Sequence, residues 1–83
     1  MIIAKVHVLL KPGLLDPQGK TIKHALESLG FKGIHDVRVG KLITVALNHP
    51  NRQKAKRDVE QMCEKLLANP VVETYYVEFE KPR

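Results

Sequence analysis

Cysteine, aromatic residues and long apolar runs are all scarce in this 83-residue chain. The one cysteine, Cys63, forms no intrachain disulfide, and no C-x-x-C pair or Cys/His cluster offers a structural zinc site. That pattern fits a reducing compartment. The N-terminal apolar run is broken by Lys5 and His7, short of a signal-peptide core, and no stretch nears the roughly 20 apolar residues of a membrane span. These shortages predict a soluble, cytoplasmic protein.

Spacings that carry chemistry are missing as well. His7, His24, His35 and His49 fall on a strand, a helix and two element boundaries, without an H-x-x-x-H pattern or a carboxylate partner pattern, and read as surface or boundary residues. Cys63 has no helix-terminal or cationic setting to activate it and reads, with Met62, as core filler. No G-x-S-x-G or paired-carboxylate motif occurs. The sequence therefore predicts no catalytic or metal-binding residue in this chain alone. Gly13 to Thr21 reads G-x-x-x-x-x-G-K-T, one residue too long between its glycines for a phosphate-binding P-loop. Pro17 also removes a backbone donor there, and Asp16 puts a negative charge where the anion would sit.

The net charge is +5, yet no block of five like charges exists. Only Arg52, Lys54, Lys56 and Arg57 cluster, and Asp58, Glu60 and Glu64 follow them, as on a solvated helix face. A nucleic-acid footprint is disfavoured further by the aromatics, Phe31, Tyr75, Tyr76 and Phe79. None of them lies on the middle strand, Val37 to Leu47, where an RNA-binding sheet stacks its bases.

What is present is a clear alternation of elements. Ile2 to Lys11 alternates as a strand, with Ile2, Ala4, Val6, Val8 and Leu10 on an apolar core face. Ile3 and Leu9 make the opposite face more apolar than water requires, which predicts partial cover by a partner. Lys11 to Leu15 crosses the surface as a loop, since Pro12-Gly13 cannot continue a ladder. Asp16 caps a helix that Pro17 opens, and its stripe of Ile22, Ala25, Leu26 and Leu29 runs to about Leu29, with Gly30 as the stop. Leu14 and Leu15 in the loop pack either on this helix or on another chain.

An extended region follows from about Ile34 to Leu47. It reads as one long strand bent at Gly40, with a tight hairpin at 39–42 as the alternative. A second helix opens after 48–51, with Asn51 or a neighbour as cap, and extends to about Ala68. Ala55, Val59, Met62, Cys63, Leu66 and Leu67 form its buried stripe. A last strand spans about Val72 to Glu80. The order β-α-β-α-β predicts a single domain, an α+β two-layer sandwich of ferredoxin-like character, with both helices covering one face of an antiparallel sheet. So small a domain with open sheet edges predicts oligomerisation that extends the sheet.

Val8-x-Leu10-Lys11 with Leu15-Asp16-Pro17-Gln18-Gly19, then Ala25-Leu26-x-x-Leu29-Gly30-Phe31, then Val37-Arg38-Val39-Gly40-Lys41, and finally 63–71, CEKLLANPV, resemble the PurS family over essentially the whole chain. PurS is the small subunit of phosphoribosylformylglycinamidine (FGAM) synthase in purine biosynthesis. The resemblance implies a non-catalytic subunit that joins the synthase subunit PurL and the glutaminase subunit PurQ, as a dimer or tetramer. Ammonia then passes from PurQ to formylglycinamide ribonucleotide on PurL. ATP, Mg and glutamine belong to those partners, and this chain carries no cofactor. The same resemblance places the contact surfaces at Lys11, Leu14, Leu15, Asp16, Gln18 and Gly19, docking on PurL or a second copy, and at Arg38, Gly40 and Lys41. Arg38 and Lys41 bridge subunits or meet an acidic partner, or else are ordinary charges on a solvated strand face. A regulatory small-molecule-binding domain and an RNA-binding module are the alternative functions.

Overall fold

Strand β1, Ile2–Leu10, buries Ala4, Val6 and Val8 on one face, as its alternation dictates. In the computed structural model, which describes residues 1–80, β1 is the centre of a three-stranded sheet. Strands β2, Lys41–Leu47, and β3, Glu73–Phe79, flank it in the order β2-β1-β3, both antiparallel to it. Val6 stands opposite Ile43 on one side and Val77 on the other. The central strand is thus the first in the chain and not 37–47, so the stacking platform weighed above has a different middle. On its open face lies His7, whose ring is already stacked on Tyr76, centroids 4.3 Å apart and planes nearly parallel at 8°.

Two helices complete the predicted β-α-β-α-β order, helix α1 at Pro17–Ser28 and helix α2 at Arg52–Met62. Asn51 caps α2, its side-chain oxygen accepting from the backbone N–H groups of Gln53 and Lys54 at 3.0 and 3.2 Å. Val59 and Cys63 of this helical run pack with Ala4, Val6 and Val8 and close the core, and Ala55 is fully buried as well. Burial, followed by the Glu64 and Glu60 charges, pushes the Cys63 thiol up. That is the behaviour of a core filler rather than a nucleophile.

Three expectations fail, each for a physical reason. The helical run does not end as an α-helix. Residues Cys63–Leu67 form a π-helical turn in which the Ala68 N–H donates to the Cys63 carbonyl, five residues back, at 3.1 Å. The wider turn shifts the phase, so Ala68 is buried and Leu66, assigned above to the core stripe, is 82% exposed. Next, the second strand starts only at Lys41, so neither the long bent strand nor the hairpin forms. Its partner register on β1 ends at Val8, and upstream of Lys41 the chain leaves the sheet.

The largest departure concerns α1, which does not join α2 on the sheet. Of its residues only Gly19 is buried, and Ile22, Ala25 and Leu29 of its apolar stripe are exposed. An antiparallel connection between β1 and β2 needs no crossover helix, so α1 is free to project outward and return. The helix stops in a Schellman arrangement, with the Gly30 N–H donating to the Glu27 carbonyl and the Phe31 N–H to that of Leu26; Gly30 has φ +99°. Segment 31–40 then runs back to β2. Helix and return segment together form an arm, and the radius of gyration is 16.3 Å. A compact chain of this length has about 12 Å.

Candidate assembly surface

The arm is held at its root by the two sequence motifs singled out above. Asp16 is extended (φ −111°, ψ 95°) and caps α1, one carboxylate oxygen accepting from the Gly19 N–H at 2.9 Å. Its other oxygen accepts from the Val39 N–H at 2.7 Å, on the returning segment. Asp16 is consequently buried, and its carboxyl is held below the usual range, first by the Val39 N–H and then by that of Gly19, against the opposing effect of burial. The nearby Arg38 guanidinium adds to that depression.

Arg38 works in the opposite direction, from the return segment to the outgoing loop. Its Nη1 donates to the Leu14 carbonyl at 2.9 Å and its Nη2 to that of Lys11 at 3.2 Å. Loop residue Lys11 is itself tied to the sheet, its N–H donating to the Val72 carbonyl at 2.9 Å. Gly19 must lack a side chain, because a Cβ there would run into the carbonyl of Val37. Gly40 lies equally close to β1: a Cβ would stand 2.8 Å from the Val8 carbonyl oxygen and collide with the Leu9 side chain. Lys41, at the start of β2, places its ammonium 3.7 Å from the Glu73 carboxylate of β3.

The structure therefore brings Asp16, Gly19, Arg38 and Gly40 together as internal fastening. Leu14, Leu15 and Gln18 remain exposed beside them, Leu15 at 70%. Sequence reasoning missed the more extensive bare surface, the α1 stripe, by assigning it to this chain's own core. The available signal was topological, since an antiparallel neighbour does not require a helix over the sheet.

A second bare region lies where the edge of β2 meets the π turn. Val45, Met62, Leu66 and Leu67, with Asp58, Gln61 and Lys65, line a groove of about 490 Å³. After Lys41, the β2 edge reads Leu-Ile-Thr-Val-Ala-Leu without a charge, the kind of edge that natural sheets pair or cover. Among the described residues no His, Cys, Asp and Glu side chains group to hold a metal ion, and no helix is long and apolar enough to cross a membrane.

Comparison with known proteins agrees along the chain. Residues 3–81 match the family model PurS, described as phosphoribosylformylglycinamidine (FGAM) synthase. The PurS subunit of Methanocaldococcus jannaschii is 44% identical over 81 residues, 98% of each chain. That of Bacillus subtilis is also 44% identical, covering 98% of this chain and 95% of its own. The crystal structure of M. jannaschii PurS, one of the subunits of formylglycinamide ribonucleotide amidotransferase in the purine biosynthetic pathway, superposes with TM-score 0.88 at 43% identity over all of both chains. A chain in the structure of PurLQS from Thermotoga maritima is similar at TM-score 0.85 and 32% identity, with 96% of this chain and 99% of that one covered. The matches run along the whole of the fold just described, arm and sheet alike: the chain belongs to the PurS family of FGAM synthase subunits.

Proposed function

We propose that this chain is the non-catalytic assembly subunit of its FGAM synthase, joining a PurL synthase subunit to a PurQ glutaminase subunit in the cytoplasm. The observation that supports this reading is the bare arm, an amphipathic helix that leaves Ile22, Ala25 and Leu29 of its apolar stripe exposed. Surfaces of this kind are built to be covered by another chain. ATP, Mg and glutamine act on the partner subunits. The contribution of this chain is proximity, since holding two active sites together raises the effective concentration of ammonia at the second without new bond chemistry.

The first partner is a second copy. The chain exposes 6549 Å² at 9.4 kDa, about 1,500 Å² more than a compact monomer of that mass. A standard interface takes about 800 Å² per partner, so the excess is ample for one. Pairing of two β2 edges extends the sheet, and the groove at Val45, Met62, Leu66 and Leu67 is of a size and polarity to receive the α1 stripe of the neighbouring copy. The exposed Leu14, Leu15 and Gln18 lie at the base of the same arm and belong to this contact region.

Reconstitution tests the proposal. Mixing the chain with its matching PurL and PurQ should give glutamine-dependent synthase activity that is lost when the chain is omitted, while the chain alone has none. Glutamine-dependent activity that is indifferent to the chain would overturn it.

A further inference from the structure

An arm that packs no face on its own sheet takes its direction from its root alone. Four ties meet there between the outgoing and returning limbs: Asp16 to the Val39 N–H, Arg38 to the Leu14 and Lys11 carbonyls, the Gly19 backbone beneath the Val37 carbonyl, and the Lys23 ammonium to the His35 carbonyl at 3.2 Å. Both limbs are in turn anchored to the sheet. Lys11 holds Val72 at the entry to β3, and Gly40 lies against Val8 and Leu9 just before β2 begins. Removing the ties between the limbs would leave two anchored ends with a hinge at each.

We propose that Asp16 and Arg38 are positioning residues: their bonds to Val39, Leu14 and Lys11 fix the angle of the arm to the sheet, and thereby pre-organise the face that meets a second copy. The inference rests on the arm being a docking surface. Neither residue needs to touch the partner, because a surface already held in its docking geometry loses less freedom on binding.

Asp16→Ser isolates this role from capping. Serine is a good N-cap and still accepts from the first helical turn, but it is too short to reach the Val39 N–H. Arg38→Gln is the second variant; Arg38 is exposed and outside the core, so its replacement leaves the fold standing. Spin labels at His24→Cys on α1 and Thr74→Cys on β3, both exposed sites, report the arm angle, while the buried Cys63 stays unlabelled. The labelled chain is diluted into excess unlabelled chain so that only the intrachain distance is read.

The wild type should give one narrow distance, and both variants a distribution at least about twice as broad. Sedimentation should show their self-association weakened by about tenfold or more. Ile22→Ser, which blunts the stripe and leaves the root intact, should weaken association yet keep the narrow distance. Unchanged width in both Asp16→Ser and Arg38→Gln overturns the positioning role. A wild type that does not self-associate sinks the docking reading instead, and the distance widths still decide the role of the root.

Discussion

At Asp16 a single carboxylate serves two segments that are far apart in sequence, and its depressed pKa gives that service a pH signature. A carboxyl whose folded pKa lies below its unfolded value contributes stability that is fully present above the unfolded value and is lost as pH falls through the folded one. Urea unfolding should therefore show a constant gap between wild type and Asp16→Asn near neutrality, closing as pH drops below the ordinary 3.8. Tyr75 has the opposite sign. Its hydroxyl donates to the Glu64 carboxylate at 2.8 Å, and this bond, with burial, pushes its pKa up to about 12. The stability it contributes is present below 10.0 and is lost as pH rises toward about 12, and an absorbance titration should lose that late ionisation in Tyr75→Phe. Gly19→Ala should cost about 1–3 kcal/mol by denaturant titration, because the obstacle is backbone and cannot move aside. The cap was legible in Asp16-Pro17, where local chemistry decides. The bond to Val39 was not, because nothing local links residues 23 positions apart.

Among the elements, local signals and tertiary outcomes part company at identifiable places. The start of α1, the Gly30 stop, the Asn51 cap and the core face of β1 follow from caps, turn residues and period, and the structure has all of them. What α1 packs against did not follow, since an amphipathic stripe specifies that it will be covered and not by which chain. The second strand was overextended because Val37 and Val39 keep the odd apolar phase while half-buried at the arm root rather than paired in the sheet. Leu66 was misplaced because no residue type announces a π turn. Two substitutions on the α2 run should therefore behave oppositely. Val59→Ala in the closed core should cost about 2 kcal/mol in a denaturant titration. Leu66→Ser should change the unfolding free energy of the dissociated chain by no more than about 0.5 kcal/mol while weakening self-association measured by sedimentation.

For the molecule as a whole, the extents of 50 × 32 × 14 Å describe a thin plate with a projecting limb rather than a sphere. With a second copy covering the limb, as proposed, such a shape would draw part of its stabilisation from association. The thermal midpoint should accordingly rise with protein concentration, and the rise should vanish in Ile22→Ser, as calorimetry over a range of concentrations would show. The placement of β1 at the centre of the sheet also bears on the order in which the molecule is made. β1 comes before both of its partners, residues 41–47 and 73–79, so the second ladder cannot close until Phe79 has been added. Between the addition of Leu47 and that of Phe79, β1 can be paired along one edge only, and its other edge stays open until β3 arrives.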